Sequence, residues 1–175
     1  MDALIFLLRS LYKLVACAFL LRALLQLFGA NFRNPLCQAV LSLTSWLVLP
    51  LRKVVPPIGR LDTASLAAFL LVELAGLSIT LQLGLGGLPA AIDLLGWSLR
   101  EALVTVLQTY TVAILLYALL SLLTQGQYHP LGALLAVLCE PVLTPLRRVM
   151  PPVGGLDFSP LVALLLLQAA KMLIP

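Results

Sequence analysis

A repeated segment constrains this chain more than any other feature of its sequence. Residues 50–62 (PLRKVVPPIGRLD) and residues 145–157 (PLRRVMPPVGGLD) are identical at nine of thirteen positions, with an offset of 95 residues and no gap. The same offset aligns Asn34-Pro35-Leu36 with His129-Pro130-Leu131, so the similarity includes the apolar segment in front of each motif. The chain is therefore interpreted as a tandem duplication.

The composition indicates whether this chain folds in water or in a membrane. Of the 175 residues, 62% are hydrophobic and 10% are charged, and the mean hydropathy is +1.10. So few polar side chains cannot cover a water-soluble globule. The sequence therefore predicts an all-α, multi-pass membrane protein with a first repeat at 1–84 and a second at 85–175. Each repeat is expected to be a helical hairpin of two spans.

The predicted spans are 3–29 and 64–83 in the first repeat, and 101–123 and 161–174 in the second. An amphipathic lead at 89–100 is expected to precede the third span, which Gln125 to Tyr128 would close. At 1.5 Å per residue, 161–174 falls short of the roughly 30 Å hydrocarbon core, so this span is short, tilted or truncated. The first span carries no cleavage pattern of small residues and is expected to be retained.

A short apolar segment precedes each basic loop, at 35–49 and at 130–144. About fourteen residues between two prolines cover only about 21 Å as a helix, which is too short to cross the membrane. Gln38, Ser42 and Ser45 would form a narrow polar stripe beside Trp46. These short helices are expected to be re-entrant or interfacial, and an ordinary helix buried within the bundle is the alternative.

The loops at 50–62 and 145–159 contain paired prolines, which exclude helix, and glycines such as Gly59 and Gly154, which permit a tight turn. Ser159 and Pro160 are typical of an N-cap and a first helical residue. Asp62 and Asp157 are expected to pair locally with an arginine of the same loop or to assist the start of the next helix. The alternative is that they bind a ligand.

The basic residues of these loops stand beside apolar segments, which indicates topology signals and contacts with anionic lipid headgroups rather than a nucleic-acid surface. Both loops are expected on one face of the membrane, in the cytoplasm, related by a pseudo-two-fold axis along the membrane normal. The candidate functional residues in and near the loops are Arg52, Lys53, Glu140, Arg147 and Arg148, in addition to the two aspartates.

Two ionisable residues are expected deeper in the membrane. Arg22 lies about nine residues before Asn31, and Glu73 lies about ten residues after the expected helix start at Thr63, so counting places both at a depth of roughly 13 to 15 Å. An unpaired charge at such depth costs about 3 kcal/mol or more. We therefore expect an ion pair between Arg22 and Glu73, either structural or part of an ion or proton path. Arg9 and Lys13 are expected to reach the headgroups without a special function.

The sequence offers little support for catalysis or for a bound cofactor. His129 is the single histidine and is expected to form a turn-type hydrogen bond, as Asn34 would in the other repeat. Cys17, Cys37 and Cys139 form no metal-binding or haem-attachment motif. The chain is thus predicted to be non-enzymatic, with no cofactor and no bound metal.

The motif Asn/His-Pro, a short apolar segment and Pro-x-Arg-Arg/Lys-x-x-Pro-x-x-Gly-x-x-Asp-x-Ser-Pro, used twice, resembles the YggT family of small bacterial and chloroplast membrane proteins. In the first copy Trp46, Arg60 and Ala64-Ser65 replace the family-like Pro141, Gly155 and Ser159-Pro160. The resemblance implies a bacterial inner-membrane location and no agreed catalytic activity. It also implies links to cytochrome b6 haem attachment and nucleoid organisation in chloroplasts, and to osmotic tolerance or cell division in bacteria.

Two classes of function follow from these features, with a membrane enzyme the least supported class. The first is a non-enzymatic assembly or scaffolding factor for a membrane complex, in cytochrome maturation or in the cell envelope and division. The second is a small channel or transporter element in ion homeostasis or osmotic tolerance, because buried ionisable groups and short half-span segments occur in such pathways. The expected partners are the lipid bilayer, other membrane proteins or further copies of this chain.

Overall fold

The computed structural model describes residues 2–124, 129–149 and 157–174. In these ranges the chain is all-helical, apart from an isolated bridge between Ile58 and Leu61. The predicted end of the third span at 125–128 and the centre of the second loop at 150–156 lie outside the described residues. The helices are α1 (Asp2–Leu27), α2 (Pro35–Leu51), α3 (Thr63–Leu85), α4 (Ala91–Thr124), α5 (Pro130–Val149) and α6 (Ser159–Met172).

Four of these helices, namely α1, α3, α4 and α5, are long and apolar enough to cross a membrane. The helices α2 and α6 are shorter, with 17 and 14 residues. In the hydrocarbon core only internal hydrogen bonds satisfy the backbone, and helices make these bonds within one segment. The described structure thus agrees with the prediction of an all-α integral membrane protein.

The two segments in front of the loops are longer helices than predicted. Pro50 and Pro145 were expected to end them, yet Pro50 lies inside α2, and Pro145 lies inside α5 together with Pro141. A proline removes only its own N–H and crowds the carbonyl four residues before it. Pro141 and Pro145 are four residues apart and therefore disturb one strip of α5, while the other strips stay bonded. At 20 residues α5 is long enough to span, so its predicted length was wrong.

The lead at 89–100 and the third predicted span form one helix. The helix α4 runs through Arg100 and Glu101 without a break and has 34 residues. Its length of about 51 Å exceeds the roughly 30 Å hydrocarbon core, so part of it must extend beyond the core or tilt. The predicted boundary at residue 100 was wrong. Arg100 and Glu101 interrupt the apolar run of the sequence, but charged residues do not interrupt a helix.

Pairs of contacts define the directions of the long helices. Lys13 contacts Glu73 while Arg22 lies against Asp62, so α1 and α3 are antiparallel. Arg9 contacts Glu101 while Lys13 contacts Thr105, so α1 and α4 are parallel. Gly76 permits the close approach of α1 to α3, because a Cβ at this position would overlap the ring of Tyr12.

Side chains at the helix starts act much as the motifs predicted. Asn34 caps α2 by accepting from the Leu36 N–H at 2.9 Å, and His129 Nδ1 accepts from the Leu131 N–H at 3.2 Å at the start of α5. This geometry confirms the turn-type hydrogen bond expected of His129. Gly59 has a φ of 60°, which confirms the predicted tight turn in the first loop.

Asp157 takes the role at the start of α6 that was predicted for Ser159. Ser159 is already the first residue of α6, and its backbone N–H donates to Asp157 Oδ1 at 2.9 Å. The residue directly before the helix is Phe158, whose side chain makes no capping hydrogen bond. An aspartate carboxylate can accept a hydrogen bond from the backbone N–H two residues later. The acceptor at the start of α6 is therefore Asp157 instead of Ser159.

Arg52 at the first loop donates to Gln26 near the end of α1, and Arg147 at the second loop hydrogen-bonds to Tyr117 in the C-terminal part of α4. Because α1 and α4 are parallel, these contacts predict that the two loops face the same side of the membrane.

We expect single cysteines introduced by Arg60→Cys and by Phe158→Cys to react with an impermeant thiol reagent from the same side of sealed vesicles. The background should replace Cys17, Cys37 and Cys139 by alanine, and the background protein should remain unlabelled. Labelling of the two positions from opposite sides would contradict the parallel arrangement.

Candidate functional site

Ionised side chains and their hydroxyl partners form two separate networks, located within the described helices and at helix ends. The first, called the mid-helix network, contains Arg9, Lys13, Glu73, Glu101 and Thr105 and joins α1, α3 and α4. The second joins the end of α1 to α2 and to the first loop. It is called the loop network and contains Arg22, Thr44, Arg52, Asp62 and Ser65.

Lys13 is the centre of the mid-helix network. Its ammonium nitrogen lies 2.8 Å from Glu73 Oε2 and 2.9 Å from Glu101 Oε2. It also donates to the hydroxyl of Thr105 at 2.8 Å. Two carboxylates and one hydroxyl thus surround a cation that sequence counting had assigned to the headgroup region.

The mid-helix network is balanced in charge and largely shielded. The side chain of Glu73 is fully buried, and its second oxygen accepts from the Thr105 hydroxyl at 2.6 Å. Arg9 closes the network from its more exposed edge by donating to Glu101 at 3.2 Å. Two cations therefore face two carboxylates, and this balance is the condition under which buried charges are tolerated.

The network lies near the middle of two long helices. Lys13 is central in the 26 residues of α1, and Glu73 is central in the 23 residues of α3. Each is therefore about 15 to 21 Å from the ends of its helix, which is at least half the thickness of the roughly 30 Å hydrocarbon core. An unpaired charge at this depth would cost about 3 kcal/mol or more.

The contact between α1 and α4 repeats with the helical period. Arg9 contacts Glu101, Lys13 contacts Thr105, and the thiol of Cys17 lies 3.5 Å from the hydroxyl of Thr109. Each step advances four residues on both helices, so these polar side chains occupy one stripe per helix. Sequence reasoning missed this stripe, although the matching four-residue spacing of the two sets could have indicated it.

The predicted ion pair between Arg22 and Glu73 is wrong. Because α1 and α3 are antiparallel, with Lys13 opposite Glu73, Arg22 is displaced from Glu73 by nine residues along α1, or about 14 Å. The prediction had counted the depth of Arg22 from Asn31 and that of Glu73 from Thr63, as if these two residues lay at the same level of the membrane. The helix α3 instead begins at the level of Arg22, because the connection from α1 to α3 contains all of α2.

Arg22 holds α2 against the end of α1. Its Nη1 donates to the Thr44 hydroxyl at 2.9 Å, to the Leu41 carbonyl at 3.2 Å and to the Ser45 hydroxyl at 3.2 Å. Its Nε lies 3.6 Å from Asp62 Oδ2. Only 3% of this arginine is exposed, so these oxygens replace the water that its guanidinium would otherwise bind.

Asp62 is the anion of the loop network. Its fully buried carboxylate accepts from Arg52 Nη2 at 2.7 Å and from the Ser65 hydroxyl at 2.6 Å, and it caps α3 through the Ser65 N–H. Burial raises the pKa of Asp62, but the hydrogen bonds from Arg52 and Ser65 and the charge of Arg52 outweigh it and hold the pKa below its ordinary value. The local interpretation of this residue is confirmed.

The second loop contains the same ion pair in a more exposed position. Arg147 Nε donates to Asp157 Oδ2 at 2.8 Å, and about a third of each side chain is exposed. Slight burial raises the pKa of Asp157, yet the hydrogen bonds from Ser159 and Arg147 lower it overall. The predicted pairing of Asp157 with Arg147 is therefore confirmed.

The other candidate residues stand apart from these networks. Lys53 and Arg148 directly follow the paired arginines and are exposed, and Glu140 is exposed on α5. Within the described ranges, no group of three or more His, Cys, Asp and Glu side chains is arranged to hold a metal ion. The two networks therefore act chemically as interhelical links in which every carboxylate has a cationic partner.

Removal of Lys13 should destabilise the protein mainly because it leaves Glu73 without its cation. We expect Lys13→Met to lower the free energy of unfolding by about 3 kcal/mol or more, and the addition of Glu73→Gln to recover most of this loss. The measurement is reversible unfolding in detergent, and the matched control is Arg22→Tyr with Glu73→Gln. In this control, adding Glu73→Gln should not restore the stability that Arg22→Tyr removes. A recovery as large as that in the Lys13 series would contradict the observed pairing of Lys13 with Glu73.

The loop network should make stability depend on acid pH through Asp62. Since its pKa in the folded state lies below the unfolded value of about 3.9, its contribution is present above that value and is lost as the pH falls through the folded pKa. Asp62→Asn should lower the free energy of unfolding at pH 7 by about 3 kcal/mol, and the difference from the wild type should shrink below pH 4. Thermal unfolding of both proteins between pH 7 and pH 3 checks this, and a constant difference would refute it.

Comparison with known proteins identifies the family to which this chain belongs. The CCB3/YggT family pattern matches residues 1–83 and 96–175. The chain is 37% identical over 176 residues to an uncharacterized protein of Pseudomonas aeruginosa, covering 99% of this chain and 88% of that protein. It is 34% identical over 176 residues to the uncharacterized protein YggT of Escherichia coli, covering 98% and 89%. No solved structure matches. These matches, which include nearly the full length of the chain, show that it belongs to the CCB3/YggT family.

Proposed function

We propose that this protein is a non-enzymatic assembly or scaffolding factor for a complex of the bacterial inner membrane. The observation that carries the proposal is the separation of its two charged networks by packed apolar side chains. Along α1 these are Ala16, Phe19 and Leu20, each at most 3% exposed, and α3 contributes Ala68 and Phe69 at the same depth. About 14 Å of close packing between Lys13 and Arg22 supports a rigid link rather than a wet pathway.

The proposed architecture is a pair of tandem hairpins, each with a short re-entrant or interfacial helix. Arg22, near the C-terminal end of α1, binds Thr44 of α2, and Arg52, just after α2, donates to Gln26 at 3.0 Å. Both the middle and the end of α2 therefore lie at the loop end of the α1–α3 hairpin. This position supports a helix that covers the hairpin end rather than one that crosses the membrane.

A scaffold of this kind needs outward apolar surface for lipids and for neighbouring proteins. The outer faces of α1 and α4 provide it, because large apolar residues on them are about half exposed or more. The proposed partners are other membrane proteins or further copies of this chain. The side chains concerned include Phe6, Leu7, Leu11, Leu14, Ile92, Leu95, Leu99 and Leu103.

A second candidate is a small channel or transporter element involved in ion homeostasis or osmotic tolerance. The mid-helix network favours it, because charged groups inside membrane helices are common in ion and proton paths. Lys13 is 23% exposed and Arg9 is 57% exposed, so one edge of the network is not covered by the protein. This candidate requires a continuation of the path beyond the packed layer at Phe19.

Reconstitution separates the two candidates. Purified protein in liposomes is expected to give no proton or potassium flux above that of protein-free liposomes, because packed apolar side chains interrupt the polar path. One membrane complex should co-purify with the tagged protein in fixed proportion, and the amount of that complex should fall in cells that lack the protein. Flux that disappears in Glu73→Gln, without such a complex, would favour the transport candidate and reject the scaffold.

A further inference from the structure

Each loop motif contains two adjacent cations, of which the first is paired within the protein and the second is exposed. Arg52 turns inward to Asp62, and the next residue, Lys53, is exposed. In the second motif Arg147 pairs with Asp157, and the next residue, Arg148, is exposed. Successive residues of a helical turn are rotated by about 100°, so pairing of the first cation directs the second one away from the loop.

An apolar residue accompanies each outward cation. Val54 follows Lys53 and is 79% exposed, while Val149 follows Arg148 and is 80% exposed. Trp46 stands two helical turns before Lys53 and is 66% exposed. A cation beside exposed valine and tryptophan is typical of the boundary between lipid headgroups and hydrocarbon, where the charge can bind phosphate while the apolar atoms contact lipid chains.

We propose that Lys53 and Arg148 bind the phosphate groups of anionic phospholipids, one at each loop, and that Arg52 and Arg147 do not. The inward arginines already donate to aspartate at 2.7 Å and 2.8 Å, so their charge is neutralised within the protein. The outward cations are positioned at the ends of α2 and α5, the two helices proposed above to be re-entrant or interfacial.

The same placement favours lipid over an acidic protein segment as the partner. Headgroup phosphate is the anion present at the end of a membrane helix, and clusters of lysine and arginine at this depth are attracted to anionic leaflets. Sequence reasoning assigned all five cations of the two motifs to headgroups. The structure removes Arg52 and Arg147 from this set, because each pairs with the aspartate ten residues later in its motif.

The test is the stabilisation of the detergent-purified protein by phosphatidylglycerol, with phosphatidylcholine and inorganic phosphate as comparison additives. The wild-type melting temperature should rise with phosphatidylglycerol well beyond its rise with either comparison additive. Lys53→Gln and Arg148→Gln should each raise the half-saturating lipid concentration about fivefold, the change expected for about 1 kcal/mol per cation. Lys53→Arg should behave as the wild type.

Lys171→Gln is the matched control, because it removes one positive charge from α6, away from both loops. It should leave the response to phosphatidylglycerol unchanged. The proposal is overturned if Lys53→Gln and Arg148→Gln respond as the wild type does, or if Lys171→Gln weakens the response as much as they do. An equal rise with inorganic phosphate would assign the site to a free anion instead of a lipid.

Discussion

The hydrocarbon core offers no partner to an ionised side chain, and the arrangement of the described helices depends on this constraint. Glu73 is fully buried, and Glu101 and Lys13 are mostly shielded by protein, so the two carboxylates can remain charged only if Lys13 comes within hydrogen-bonding distance of both. Their contacts join α1, α3 and α4 at one level. Thr105 and Arg9 complete the set, since they bind the carboxylate oxygens that Lys13 cannot satisfy alone.

The two loop motifs are close in sequence but differ in their surroundings. In the first repeat the Arg52–Asp62 pair has a fully buried carboxylate and a second arginine, Arg22, nearby. In the second repeat the Arg147–Asp157 pair is partly exposed, and Tyr117 stands at the position that corresponds to Arg22. The ion pair of the first motif is therefore the one that is more firmly enclosed by protein.

Membership of the CCB3/YggT family and the internal pairing of charges are compatible with a structural role in the membrane. The two networks fix the relative positions of four helices near the N-terminal half of the chain: α1, α2, α3 and α4. A fixed bundle can present its outward cations and its apolar faces in constant positions. This constancy is the property that a scaffold requires and that a conducting path between the networks would disturb.

The sequence by itself determined the features that depend on composition and on residues close along the chain. High hydropathy required helices in a membrane, and the loop spacing of ten residues brought Arg52 to Asp62 and Arg147 to Asp157. Only the tertiary structure decided which buried charges meet between helices. The axial offset of α1 and α3 depends on packing, such as the fit of Tyr12 against Gly76, and an error of nine residues in that offset replaced Lys13 by Arg22 as the expected partner of Glu73. The sequence also did not decide whether a helix ends at a proline. Pro141 and Pro145 lie inside α5, because the hydrogen bonds of neighbouring residues maintain a helix that one missing hydrogen bond only weakens.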